Sequence, residues 1–189
     1  MLNVISGLLG AGAPPAPLTS YESIATVTLG SAASTVTFSS IPSTFKHLQI
    51  RWTAKSSRAA LNDYMQIRLN GDTTGSNYRS HTLNGGGSAV YAETSANDLQ
   101  VGGLPGNTNA SMFGVGVIDI LDYSNTSKNT TLRTLNGFDQ NSASTGAAWV
   151  GIDSGLWMNT AAVSSVVFNS GTSSNFVTNT QFALYGIKG

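Results

Sequence analysis

The sequence predicts an all-β protein, a single jelly-roll-like β-sandwich that carries an extended N-terminal arm. Three observations support this. Short apolar or alternating segments follow one another from Tyr21 onward, and turn residues separate them. No segment keeps a helical repeat over the length of a helix. The 189 residues are enough for one core of this kind. We expect the arm over residues 1–20 and the sandwich over residues 21–189.

Composition excludes several classes of function. Charged residues make up 10% of the chain, against about 25% in an average domain. Nine basic and nine acidic residues cancel, so we predict no nucleic-acid binding. The absence of cysteine excludes disulfides, zinc–thiolate sites and cysteine nucleophiles. No apolar stretch reaches the ~20 residues of a membrane span, so we expect no membrane partner.

The first 20 residues differ from the rest of the chain. Five large aliphatic residues precede a proline-rich stretch, and prolines favour an extended path. The first basic residue is Lys46, so the positive start of a signal peptide is missing, and we expect the segment to be retained. We predict an arm that docks on a partner or on its own domain through Leu2, Val4, Ile5, Leu8, Leu9, Pro14, Pro15 and Pro17.

The first half of the predicted sandwich contains four strands. Residues 24–29 and 35–39 flank Gly30 and Ser31, which predicts a hairpin. Residues 47–54 alternate, with an apolar face of Leu48, Ile50, Trp52 and Ala54 and a polar face opposite. Residues 64–70 repeat that pattern and lead into a turn at Asn70-Gly71-Asp72.

Glycine-rich loops dominate residues 75–110, with short strands predicted at 78–83 and 99–101. Long loops at one end of a sandwich are common binding surfaces. Three later strands are predicted at 147–157, 164–168 and 181–188, giving eight to ten in all. Glycines 114, 116 and 151 would weaken their strands unless another group approaches the backbone closely.

Residues 114–139 predict a central hairpin with a polar turn at 122–128. Its first strand is apolar on both faces, through Val115, Val117, Ile118, Ile120 and Leu121. Such a strand is expected to be covered on both faces, as in the middle of a packed β domain.

The sequence offers no catalytic centre, metal site or cofactor motif. His47 and His81 have no pattern of carboxylates around them. Asp122 and Asp139 could form a glycosidase pair if the hairpin brought them together. The favoured interpretation is that Asp119 pairs with Arg133 and that Asp122 caps the turn.

Two tryptophans remain as candidates for binding. Trp149 and Trp157 could stack on sugar rings, as aromatic residues do in lectin-like sandwiches. Large aromatic residues in strands more often fill the core between sheets, and we favour that position for both.

Seven short motifs occur in a specific order along the chain. They are Ser40-Ile41-Pro42-Ser43-Thr44-Phe45, Leu48-Gln49-Ile50-Arg51, Leu69-Asn70-Gly71-Asp72, Gly75-Ser76-Asn77-Tyr78, Ile118-Asp119-Ile120-Leu121-Asp122-Tyr123, Gly155-Leu156-Trp157 and Phe182-Ala183-Leu184-Tyr185-Gly186-Ile187-Lys188. Together they resemble a family of virion structural proteins of tailed bacteriophages, especially marine and cyanobacterial ones. The resemblance covers the chain from about Tyr21 to its end and leaves the arm outside. It implies a β-sandwich subunit of the particle without catalytic residues.

Within that resemblance we expect a capsid decoration (cement) subunit. Its arm would dock on the major capsid protein and its sandwich would reinforce the shell. The alternative is a tail or fibre subunit whose loops bind carbohydrate on the host surface. We expect a protein of the virion, assembled in the host cytoplasm, that self-associates, with a trimer suggested by analogy with other decoration proteins.

Overall fold

The computed structural model describes residues 19–87, 89–108, 111–140 and 147–189. This part of the chain forms two antiparallel sheets and contains no α-helix, only a 3₁₀ turn at Gly75–Asn77. The all-β prediction is therefore confirmed. The strands are β1 (Tyr21–Thr28), β2 (Thr35–Phe38), β3 (His47–Ala54), β4 (Asn62–Leu69), β5 (Tyr78–Gly85), β6 (Val90–Ser95), β7 (Gln100–Pro105), β8 (Gly114–Leu121), β9 (Thr130–Asp139), β10 (Ala148–Trp157), β11 (Val166–Ser170) and β12 (Gln181–Ile187).

Eight of these strands have the order of a jelly roll. The large sheet runs β1-β12-β3-β8-β9-β10-β5-β6, and the small sheet runs β2-β11-β4-β7. The pairs β1–β12, β2–β11, β3–β8 and β4–β7 are nested in sequence, as in a long hairpin wound into two facing sheets. This confirms the predicted topology. The predicted arm lies outside the described residues except for Thr19 and Ser20.

The other four strands extend the large sheet. Strands β9, β10, β5 and β6 follow β8 in the sheet, with neighbours paired antiparallel. We call these four strands the extension, and β1, β12, β3 and β8 the jelly-roll half. Of the small sheet, β7 packs over β9 and β10. The sequence pattern did not predict β6, and the described residues contain twelve strands where eight to ten were expected.

The core lies between the jelly-roll half and the small sheet and extends to the ends of β5, β9 and β10 through Tyr78, Leu132 and Trp157. Phe168 stacks on Phe182 with ring centroids 4.5 Å apart, and both rings are fully buried. The predicted inward faces of β3 and β4 are confirmed, since their apolar side chains are almost completely buried. Such burial is the main stabilising contribution to a sandwich. These side chains are Leu48, Ile50, Trp52, Ala54, Met65, Ile67 and Leu69.

Close approach explains the strand glycines. A Cβ on Gly116 would lie 2.5 Å from the Trp52 ring, and one on Gly151 would lie 2.5 Å from Nε1 of Trp149. Each glycine therefore leaves room for an indole against the sheet. The predicted turn after β4 is also present, because Asn70 and Gly71 take positive φ angles of 52° and 68°.

The predicted hairpin between residues 24–29 and 35–39 is wrong. Both segments contain strands, but β1 pairs with β12 in the large sheet and β2 pairs with β11 in the small sheet. In a jelly roll the chain crosses from one sheet to the other at this point. Turn residues such as Gly30 and Ser31 mark where a strand ends, and distant partners decide which strand pairs with it.

The central hairpin is present as β8 and β9, and β8 lies inside the large sheet as predicted. The expectation that both faces of β8 are covered is wrong for the single chain. Ile118 and Ile120 are buried on the inner face, whereas Val115 is 55% exposed on the outer face. No described element of the chain packs against that outer face.

Candidate functional site

The middle of the extension has a polar inner face. The inner side chains of its strands include Thr82, Thr134, Asn136 and Asp153, all at least 95% buried. Asp153 accepts hydrogen bonds from Thr82 Oγ1 at 2.6 Å, from Asn136 Nδ2 at 2.8 Å and from Thr134 Oγ1. Burial raises the pKa of Asp153, and these hydrogen bonds oppose that rise only in part.

Strand β7 closes this polar cluster from above. The backbone N–H of Gly103 donates to Asn136 Oδ1 at 3.0 Å, which ties the small sheet to the extension. Every group that surrounds Asp153 is therefore used within the fold. The cluster is a structural network, and its burial gives no room for a substrate beside the carboxyl group.

The opposite face of the same strands is apolar and exposed. Cross-strand pairing places Leu83, Ile152, Leu135 and Val117 in one row across β5, β10, β9 and β8. The side chains of Leu83, Ile152 and Leu135 are 47%, 51% and 56% exposed. Four adjacent strands thus present one continuous apolar row to solvent.

A second apolar row runs beside the first. It contains Val90, Val150 and Val115, which are 75%, 68% and 55% exposed. Gly85 and Gly137 lie between these valines in the register. We call the two rows together the outer apolar face.

A polar row borders the outer apolar face on its other side. It contains His81, Ser154, Arg133 and Asp119 in register. Arg133 Nε lies 3.4 Å from Asp119 Oδ2, so the predicted pair across the hairpin is present. An apolar patch bordered by polar residues is typical of an interaction site.

The positions of Asp122 and Asp139 in the hairpin decide whether the two residues could form the carboxyl pair of a glycosidase. In the hairpin register, Leu121 pairs with Thr131 and Val115 with Gly137. Asp122 is one residue beyond the first of these pairs and Asp139 is two residues beyond the second, so they lie at opposite ends of the hairpin, about 30 Å apart at the usual rise of a strand. That distance is too long for the two carboxyl groups of a glycosidase.

Asp122 instead organises the turn, as expected. It has a positive φ of 48°. Lys46 Nζ lies 3.0 Å from Asp122 Oδ1, and Lys128 also pairs with this carboxylate. Hydrogen bonds from Lys128 and Lys46 lower the pKa of Asp122 to about 2. The backbone N–H of Asp122 donates to His47 Nδ1 at 2.9 Å, so His47 supports the turn.

No metal site was predicted, and the part of the chain that the structure describes contains no group of three or more His, Cys, Asp or Glu side chains that could hold a metal ion. His81 lies on the outer face, where it is exposed. Within the same described ranges, no helix is long and apolar enough to cross a membrane.

The two tryptophan candidates lie in different environments. Trp157 is 1% exposed, and its Nε1 donates to Asp72 Oδ2 at 2.8 Å, which confirms the expected core position. Trp149 is only half-buried and lines a cleft beside β7. The predicted docking residues of the arm, from Leu2 to Pro17, lie outside the described residues.

The sequence pattern did not single out the outer apolar face. A signal for it was present in β10, where Val150 and Ile152 alternate with Gly151 and Asp153. Alternation identifies an apolar face but does not tell whether that face meets the core of the same chain or another surface.

Comparison with known proteins adds little. No family model matches the sequence, and no curated protein matches it. Among solved structures, a match was found to a candidate pore-forming toxin from Bacteroides vulgatus, with 11% sequence identity and a TM-score of 0.09. The match covers 74% of this chain and 53% of that one, so the chain spans about half the length of that protein. A score this low does not indicate a shared fold.

Proposed function

We propose that the chain is a non-enzymatic structural protein of a bacteriophage particle, a capsid decoration subunit that docks on the major capsid protein. The outer apolar face is the observation that carries this proposal. Leu135 and Ile152 are more than half exposed at its centre. The motif resemblance to virion proteins gives the partner, and jelly rolls are common in viral capsid domains.

The surface chemistry fits a protein that packs at high density. The formal net charge is zero, so neighbouring copies repel one another weakly. Covering an apolar face contributes roughly 25 cal/mol per Å² of apolar area removed from water. Because decoration subunits bind only the assembled shell, each bound copy shifts the equilibrium toward that shell.

In this proposal the arm, residues 1–18, anchors the subunit, and the outer apolar face adds contact with the shell. Residues 19 and 20 are left out of the arm, since the Ser20 carbonyl accepts a hydrogen bond from the Lys188 backbone N–H at 3.0 Å and so belongs to the sandwich. Self-association, with a trimer as the expected form, is part of the same proposal and is measurable by analytical ultracentrifugation.

Co-sedimentation with shells of the major capsid protein tests the proposal. The double variant Leu135→Asn/Ile152→Asn should fold normally and bind shells more weakly, since it makes the exposed row polar. Deletion of residues 1–18 should also leave a folded sandwich and abolish binding. The matched control is Arg133→Asn/Ser154→Asn, one register row away on the same two strands.

The control variant is expected to bind like the unmodified protein. If the unmodified protein fails to bind shells, the decoration role is wrong. If the double variant and the truncated protein both bind fully, the two proposed contact regions are wrong.

A tail or fibre subunit that binds host carbohydrate is the second candidate, favoured by the cleft beside Trp149. Quantitative mass spectrometry of purified particles separates the two roles. A decoration subunit should be present in many copies per particle, and a tail subunit in only a few.

A further inference from the structure

A cleft opens on the inner side of the large sheet, where the small sheet ends. Strand β7 is the edge of the small sheet and packs over β9 and β10, while β6 lies beyond it at the edge of the extension. The cleft has a volume of about 400 Å³, within the range of small-molecule sites. Its lining includes Tyr64, Asn84, Tyr91, Glu93, Gln100 and Trp149.

Two aromatic residues, Trp149 and Tyr91, give the cleft flat apolar surfaces. The Trp149 indole lies directly against β7, since a Cβ on Gly103 would be 2.5 Å from its ring. Tyr64 also belongs to the lining, but its ring packs over Gly171 and its hydroxyl donates to the Gly171 carbonyl at 3.2 Å. Tyr91 is 43% exposed. The cleft therefore has two aromatic rings against which the face of a ligand can pack.

Asn84 is an unsatisfied polar group in this lining. Its side chain is only 4% exposed, and its Nδ2 has no hydrogen-bond partner among the described residues. Tyr91 and Gly151 are its cross-strand neighbours. Buried amide donors without a partner are rare in folded proteins, and this one is available to a ligand in the cleft.

The charges of the lining disfavour an anionic ligand. Asp63 and Glu93 contribute carboxyl groups, and no lysine or arginine is among the described lining residues. Asp63 is already engaged, since it accepts hydrogen bonds from Ser56 at 2.5 Å and Ser170 at 2.7 Å. Phosphate groups and acidic sugars would meet uncompensated negative charge here.

We propose that this cleft binds a neutral oligosaccharide. The C–H face of a pyranose ring packs on Trp149 and Tyr91, and a sugar hydroxyl accepts from Asn84 Nδ2. Other hydroxyls donate to Glu93 and to the side-chain carbonyl of Gln100. No bond is made or broken. The site is independent of the proposed docking on capsids, because it lies on the opposite face of the large sheet from the outer apolar face.

Tryptophan fluorescence of the full-length protein tests the proposal. Trp52 and Trp157 are 3% and 1% exposed, whereas Trp149 is half-buried in the cleft, so a ligand there changes mainly the Trp149 emission. The probes are neutral fragments of glucan, mannan and galactan. A saturable change is expected with at least one of them.

Two variants and one control locate the binding. Tyr91→Ala should weaken it about tenfold through lost stacking. Asn84→Leu should abolish the hydrogen bond yet fold at least as stably, because it removes an unpaired buried donor. Tyr21→Ala alters a tyrosine of similar exposure, 46%, on the opposite edge strand and should bind normally.

The proposal is overturned if none of the neutral fragments gives a saturable change. It is also overturned if Tyr91→Ala and Asn84→Leu both bind like the unmodified protein. Failure of this site would leave the result of shell co-sedimentation unaffected, so the two proposals are tested separately.

Discussion

The two halves of the large sheet differ in the polarity of their inner and outer faces. In the jelly-roll half, Ile50 and Ile118 point inward to a core closed by the small sheet and are fully buried. In the extension, the inner side chains around Asp153 are polar, while Ile152 on the outer face is 51% exposed. Around Asp153 the sheet is therefore polar inside and apolar outside, while the ends of β5, β9 and β10 still contribute Tyr78, Leu132 and Trp157 to the core.

The difference shows that the apolar face of a strand need not be the face that its own chain covers. In the jelly-roll half, hydrophobic burial stabilises the monomer. In the extension, hydrogen bonds to Asp153 and the contact with β7 add to the burial of Tyr78, Leu132 and Trp157, and the apolar side chains of the outer face stay exposed. The following predictions test that division, from the largest expected effect to the smallest.

Truncation of the core aromatic Phe168 should have the largest effect on stability. Phe168 is fully buried and stacks on Phe182. Phe168→Ala should lower the free energy of unfolding by about 3–5 kcal/mol, measured by chemical denaturation. The outer-face control Leu135→Ala should change it by no more than about 0.5 kcal/mol.

A large loss in Leu135→Ala at every protein concentration would contradict the comparison, because Leu135 would then be part of the folded core. If the loss of stability instead grew with protein concentration, it would support the comparison, because the outer apolar face would then lie in a contact between copies of the chain.

Removal of the Asp153 carboxyl group should have the next largest effect. Asp153→Ala leaves the donors of Thr82, Thr134 and Asn136 without their acceptor and should cost about 3 kcal/mol of unfolding free energy. Asp153→Asn keeps the shape and one acceptor, so it should cost about 1 kcal/mol.

The pH dependence separates these two variants further. Because burial raises the folded-state pKa of Asp153, its contribution to stability is fully present below the unfolded value of 3.8 and falls as pH rises through the folded pKa. Asp153→Asn does not titrate at this position. The stability difference between the unmodified protein and Asp153→Asn should therefore shrink with rising pH, and a difference that grows would contradict the direction of the shift.

Replacing the glycine beneath each indole by alanine adds a methyl group at that point. These substitutions should have the smallest effects on stability, and the effects should differ between the two halves of the large sheet. Gly116→Ala meets Trp52, which is enclosed, and should cost about 1–3 kcal/mol. Gly151→Ala meets Trp149, which is half-buried and can move into the cleft, so it should cost less than about 1 kcal/mol. Thermal denaturation measures both.

Gly30→Ala is the control for these two variants, because a Cβ there has no atom within 4 Å. It should be neutral or slightly stabilising. Equal losses in Gly116→Ala and Gly151→Ala would show that the two indoles are equally confined.

Much of the fold could be predicted because local chemistry determines it. The alternation of Leu48, Ile50 and Trp52 identified β3 and its inner face, and Asn70-Gly71 identified the turn after β4. The pairing of β1 with β12 could not be read from the residues around Gly30, because strand partners more than a hundred residues apart leave no local mark. Strand β6 was missed because Tyr91, Ala92 and Glu93 lie at an exposed edge with little alternation.

The candidate sites were less predictable than the fold. Trp149 could be named from its residue type, but its half-buried position depends on where β7 ends. Asn84 carried no sequence signal, since an asparagine in a strand becomes notable only when its partners are known. The alternation of apolar and polar residues in β10 was visible in the sequence, but it did not show which face of the strand would be exposed to solvent.

The glycines between the valines of the second apolar row give that surface a relief. Val90, Val150 and Val115 are two strands apart, so their side chains form ridges spaced about 9.5 Å, with Gly85 and Gly137 as the furrows between them. A partner that fills both furrows must carry protruding side chains at the same pitch. Flat or differently spaced surfaces would touch only the ridges and leave water beneath. The spacing of the valines therefore makes the surface selective for apolar partners whose protruding side chains match it.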